Sequence, residues 1–216
     1  MPDQKQPEIP GFTRPTSPDD VVISQADAIK AMTHPLRLRL LDLFGPGIEL
    51  TATQCAERTG ESVASCSFHL RQLEKYGRVE RAEAHGKERP WRAVGNGFSV
   101  RPDLADPESW PAAKAFGSVF IAERFAQLQR WLTDAGRDDP DWLYATTQTH
   151  QEFWVTRDEL DDLSRRLEEL TEPFRGRAAN PDARPPGARQ AHLFGAVWSE
   201  IPDPAEGPAE DTEEDS

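Results

Sequence analysis

Apolar positions fall into a succession of short helical faces over the first half of the chain. Ser24 with Asp27 reads as a capping pair before Ala28 to Met32. Pro35 sits at a first-turn position, and Leu36, Leu40, Leu41, Leu43 and Phe44 give a second helix one apolar face until Gly45-Pro46-Gly47 stops it. Thr51 and Gln54 form a capping box that opens a third helix running through Arg58, and Gly60 ends it. Ser62 caps a fourth helix from Val63 to Lys75. Two strand-like runs follow, Arg78 to Glu83 and Arg89 to Val94, around the polar tip Ala84-His85-Gly86-Lys87-Glu88.

A short helix, a tight turn bearing Gly60 and a longer helix is the helix-turn-helix pattern, and the hairpin after it reads as a wing. Along the fourth helix, Cys66, Leu70 and Leu73 share one narrow stripe that should face the core. Ala64, Phe68, Arg71 and Lys75 fall opposite, flanked by Ser65, Ser67 and Gln72. Small residues near the start of that face allow close approach, and Arg and Gln can reach base edges or phosphates. Ser62, at the cap, and His69, at the edge of the core, complete the candidate set on this helix. His69 is either a packed side chain or a phosphate contact. Phe68 either touches thymine methyls or packs on the wing. His85, Lys87, Arg89 and Arg92 are the wing's candidates for the DNA backbone or the adjacent minor groove.

The string Ala31-Met32-Thr33-His34-Pro35-Leu36-Arg37-Leu38-Arg39-Leu40-Leu41 resembles the opening of ArsR-like winged helix-turn-helix regulators. The string Ser67-Phe68-His69-Leu70-Arg71-Gln72-Leu73-Glu74-Lys75-Tyr76-Gly77-Arg78-Val79 resembles that family's recognition helix and the start of its wing. The resemblance covers residues 24–94 and implies a homodimeric transcription regulator that binds double-stranded DNA. Metal-sensing members carry a Cys-x-Cys motif on the third helix or an acidic and histidine set on the dimer helix. Here the third helix has Cys55 alone and residues 107–137 lack the second set, so no metal site and no cofactor are expected.

From Ser109 to Ala135 the chain reads as one long helix. Its Trp110, Phe116, Val119, Phe120, Phe125, Leu128, Trp131 and Leu132 are too many apolar groups for a solvated helix. Part should cover the winged unit and the rest a second chain, with Gly117 permitting close approach. Leu143–Val155 and Ala191–Ile201 read as strands around a helix opened by the capping box of Thr156 and Glu159, with Leu160, Leu163, Leu167 and Leu170 on one stripe. Antiparallel pairing would leave Trp154, Phe194 and Trp198 on one uncovered face, to be buried by the long helix, a partner subunit or a small apolar effector. The expected fold class is mainly α with small β (α+β): a winged helix-turn-helix domain, a long helix and a strand–helix–strand module.

Charge divides the chain of 216 residues, whose net charge is −13. Residues 21–101 carry 12 basic and 9 acidic groups, for +3, whereas residues 102–216 carry 11 basic and 25 acidic groups, for −14. The sign of a partner is therefore set domain by domain. The expected organisation is a disordered arm over 1–20, the DNA-binding domain over 21–101, a dimerisation and possible effector region over 102–201, and a disordered acidic tail over 202–216. The small surplus of +3 keeps open a winged module that binds protein rather than DNA. A glycine-rich nucleotide turn, a P-loop and a Gly-x-Ser-x-Gly elbow are all missing, so no enzyme is expected. With no apolar run near the ~18 residues of a bilayer span and no signal-like start, the reading is cytoplasmic. Cys55 and Cys66 are either a redox pair or buried small hydrophobes.

Overall fold

A computed structural model describes residues 21–45, 47–83, 89–95, 97–103, 105–178 and 180–201. The arm over 1–20, the tail over 202–216 and the hairpin tip with His85 and Lys87 lie outside the described residues.

The N-terminal unit runs β1 (Val21–Ile23), α1 (Ala26–Met32), α2 (Pro35–Asp42), α3 (Ala52–Thr59), α4 (Val63–Lys75), β2 (Val79–Arg81), β3 (Trp91–Ala93) and β4 (Phe98–Val100). Each expected helix is present. The capping box of Thr51 and Gln54 opens α3, with Thr51 N–H donating to Gln54 Oε1 at 2.8 Å and Gln54 N–H to Thr51 Oγ1 at 3.2 Å. Ser24 and Asp27, however, do not cap α1. Gln25 occupies the cap position without a side-chain bond. The chain before it is drawn into β1, and the Ser24 carbonyl accepts a hydrogen bond from Ser109 Oγ at 2.7 Å.

β1 was not evident from periodicity. It pairs in parallel with β4 in the register Val21↔Phe98, Val22↔Ser99, Ile23↔Val100. A parallel pair needs a long crossover, and here the whole winged unit is that crossover, so the pair ties its two ends together. β2 and β3 pair antiparallel, with Glu80 opposite Arg92 and Arg81 opposite Trp91. Leu50 adds a bridge through two backbone bonds to Trp91, 2.9 and 2.8 Å. That bridge fixes the base of the wing in the core, where Trp91 is fully buried. The core gathers Ile29, Met32, Leu38 and Leu40 from α1 and α2 with Cys55, Cys66, Leu70 and Leu73 from α3 and α4.

α5 (Ser109–Asp134) begins as expected. Its first half is part of this core: Ala112, Ala113 and Phe116 are buried, and the Phe116 ring lies edge-on to Phe98 at 6.0 Å. Arg124 forms an ion pair with Asp42 of α2. Further along, Ile121, Phe125, Leu128, Trp131 and Leu132 remain exposed.

The two C-terminal strands do not form. The first segment instead begins with α6 (Pro140–Tyr144), nucleated by Asp139, which accepts from Asp141 N–H at 2.9 Å, and by Pro140 in the first turn. Residues 145–155 and 191–201 join no ladder. Thr and aromatic residues favour a strand where a paired edge and a buried face await them, and each segment was the other's expected edge. Residues 191–201 lie along helices instead. Phe194 contacts Phe120 and Phe125 of α5 at 6.3 and 6.0 Å, and a Cβ at Gly195 would come within 2.9 Å of Leu167. Trp154 is fully exposed and Trp198 is 71% exposed, so the face that pairing would have made does not exist. α7 (Arg157–Glu169) keeps its capping box, Thr156 N–H donating to Glu159 Oε2 at 2.8 Å, and half-buries Leu160, Leu163 and Leu167. Mainly helical with short strands, the fold is α+β. No described helix is long and apolar enough to cross a membrane.

Two substitutions test what holds α4 in place. Leu70→Ala empties a fully buried site and should cost about 2–5 kcal/mol in urea unfolding. Gly60 has φ +73, so Gly60→Ala should cost about 1–2 kcal/mol although no atom lies within 4 Å of an added Cβ. Unchanged midpoints would show that neither residue anchors the turn or the helix.

Candidate nucleic-acid interface

The presentation of α4 starts at the turn before it. Gly60 lets α3 end in the left-handed conformation, its N–H bonding the Ala56 carbonyl at 2.9 Å. Glu61 is held to α2 by Arg39, 2.8 Å from its carboxylate. Ser62 then caps α4, its Oγ accepting from Ser65 N–H at 3.1 Å. Thr59 donates to the Cys55 carbonyl at 2.8 Å and lies 3.5 Å from Cys66 Sγ. Both cysteines are free and buried, and burial pushes the Cys55 thiol up to about 11, with Cys66 adding to the effect. The Cys55 thiol is therefore protonated at neutral pH, and both buried side chains pack as small apolar groups.

Cys66, Leu70 and Leu73 are fully buried, which leaves the opposite face of α4 outward. Ser62, Ala64, Phe68, Arg71 and Lys75 are exposed, while Ser65, Ser67, His69 and Gln72 are half-buried. Arg71 donates to Ser67 Oγ one turn back at 2.8 Å, so its guanidinium is held along the face. The Lys75 ammonium lies 5.4 Å from the Tyr76 ring. Phe68 is 51% exposed and meets His69 edge-on at 5.1 Å.

On the wing, Arg89 is exposed and its carbonyl accepts from Arg81 at 2.8 Å. Arg92 is exposed too, but Glu80 across the ladder holds it at 2.7 Å. A reading by charge alone misses Arg81, whose guanidinium stacks 3.5 Å over the Trp91 ring. The signal is the alignment of position 81 with a buried Trp, which needs the register. Among the described residues, no group of three or more His, Cys, Asp or Glu is placed to hold a metal ion.

His69 is packed rather than free. Its ring centroid is 4.3 Å from that of His34, which caps α2 by accepting from Leu36 N–H through Nδ1 at 3.1 Å. That acceptor role needs a neutral His34. Burial, then Arg37 and Arg39, hold His34 below the ordinary imidazole range, and Glu61 opposes them. Burial, then His34 and Arg37, lower His69 in the same way, again against Glu61.

A group whose folded pKa is depressed protonates more readily in the unfolded chain. The stability from this pair is complete above the ordinary value of about 6.5 and is lost as pH falls through the lower folded values. The melting temperature should therefore fall between pH 7 and 5, and His69→Gln should flatten that fall. Parallel wild-type and variant curves would contradict the assignment.

A family model described as a helix-turn-helix domain matches residues 32–81. Two solved structures, both of mutants of Lactococcus lactis ZitR, are 17% and 16% identical to this chain. Each alignment covers 67% of this chain and 74% of the ZitR chain, with TM-scores of 0.26 and 0.25, values that establish no common overall shape. No curated protein matches the chain. With α3, the Gly60 turn and α4 in their places and the β2–β3 wing behind them, residues 32–81 are a helix-turn-helix domain of the winged type.

Proposed function

We propose that the protein is an ArsR-like regulator that binds operator DNA as a homodimer, with α4 in the major groove and the β2–β3 wing along the flanking backbone. The observation that supports this most is the two-sidedness of α4. One stripe is fully buried, and the other carries Ala64, Phe68, Arg71 and Lys75 with no covering element among the described residues. Small residues at the N-terminal end let the helix approach base edges, and Arg71 with Gln72 supply the donors that read or hold them. Ser62, Ser65, Ser67 and His69 border that face, and Arg89 and Arg92 serve the backbone with His85 and Lys87 of the tip. The exposed apolar residues on the second half of α5 support the dimer: Ile121, Phe125, Leu128, Trp131 and Leu132 together form more apolar surface than a solvated helix presents.

Binding to genomic fragments, titrated with salt, tests the reading. Arg71→Ala should cost about 1–3 kcal/mol at a base contact, or weaken all sequences alike at a phosphate. Arg89→Ala should lower the salt slope by about 1. Wild-type affinity from both variants would remove α4 and the wing from the interface, as expected of a winged module that binds protein.

Sedimentation tests the assembly. A two-fold dimer should persist at micromolar concentration and occupy half-sites about 34 Å apart. A monomer bound one chain per site would contradict it.

A further inference from the structure

Arg37 differs from the arginines that pair across elements. Arg39 is paired with Glu61 and Arg124 with Asp42. Arg78, half-buried like Arg37, donates to the Tyr76 carbonyl at 3.0 Å. For the Arg37 side chain, no acceptor and no carboxylate is in place among the described residues, and its Nε is buried without a hydrogen-bond partner. Burial lowers its pKa with no carboxylate to offset the effect, and the Tyr76 side chain is its electrostatic neighbour. A half-buried guanidinium without an anion is costly to the folded chain.

The position of Arg37 gives the lone charge a use. Arg37 follows His34 by three residues, so the two share a face of α2. His34 stacks on His69, and Ser65, His69, Gln72 and Tyr76 recur at helical spacing along one flank of α4. Gln72 lies between that flank and the outward face. The Arg37 guanidinium therefore sits at the rim of the face that α4 turns outward, on the side where α2 rises beside it. Backbone contacts fix a protein's register on the duplex, and a donor on α2 would add one from outside the α3–turn–α4 motif itself.

From this juxtaposition we infer that Arg37, on α2 one turn from His34 and its ring contact with His69, is a seat for a DNA backbone phosphate, separate from the contacts of α4's outward face and of the wing. The inference rests on the DNA-binding reading above. A phosphodiester supplies the anion that the fold leaves out, and α2, fixed to α4 by the two rings, holds the donor in place before DNA arrives. Because this contact is to the backbone, it adds affinity and register without sequence preference.

The test uses the full chain, a mixed-sequence 30-base-pair duplex, and Arg37→Met, which keeps the side-chain stem and removes the charge. The slope of log K against log salt is measured for the wild type, Arg37→Met and Arg71→Ala, together with each melting temperature. Arg37→Met should melt at or above the wild-type temperature, because a half-buried charge with its Nε unpartnered is gone, and should reduce the salt slope by about 0.9, the loss of one phosphate contact. Arg37→Lys, which restores a charge, should recover part of the slope. A lower melting temperature or failure to fold in Arg37→Met would show a structural arginine and overturn the seat. An unchanged slope in Arg37→Met beside a reduced slope in Arg71→Ala would overturn the seat while leaving the DNA-binding reading intact. A wild-type protein that does not bind the duplex would overturn both.

Discussion

Cys66, Leu70 and Leu73 anchor α4 by its inner face, and the chemistry of its outer face depends on that grip. The side-chain period of a helix is fixed, so burying one stripe fixes which residues look outward. α2 supplies much of the surface against which the stripe packs, and two further contacts from α2 set the pose of α4. Arg39 fixes the turn through Glu61, and His34 meets the middle of the helix through His69. α2 is thus more than a spacer before the helix-turn-helix, since it sets how far and at what angle α4 projects. The coupling between the His34 cap and the His69 ring makes the neutral forms of both rings part of that pose.

The winged unit was legible in the sequence because its signals are local. Thr51, Gln54, Gly60 and Ser62 mark helix ends by backbone chemistry that works in any context, and the stripe on α4 follows from spacing alone. The pairing of β1 with β4 was not legible, since three-residue parallel strands brought together from opposite ends of the unit leave no periodic trace. The same non-local dependence misled the reading of residues 143–155 and 191–201. Their Thr and aromatic content described strands in need of a partner, and nothing local states that the partner is missing. Local signals there were accurate where they existed: Asp139 with Pro140 opens α6, and Thr156 with Glu159 opens α7. Within the site, exposure and flank followed from helical angle, whereas the partners of Arg92 and Arg81 required the strand register.

Charge and apolar surface follow a division of labour. The mildly basic unit offers the outward face of α4, and the acidic remainder carries charge of the opposite sign. α5 spans both, buried in the core of the winged unit over its first half and apolar and exposed over its second. The Asp42–Arg124 ion pair joins α5 to α2, the helix that poses α4.

Hydrogen–deuterium exchange on the full chain, with and without a saturating DNA duplex, tests the central claim most directly. The account predicts that DNA slows exchange in α4, in the α3–α4 turn and in the first turn of α2, with α7 unchanged. Protection confined to α7 or to residues 191–201, with α4 exchanging at its free rate, would contradict it.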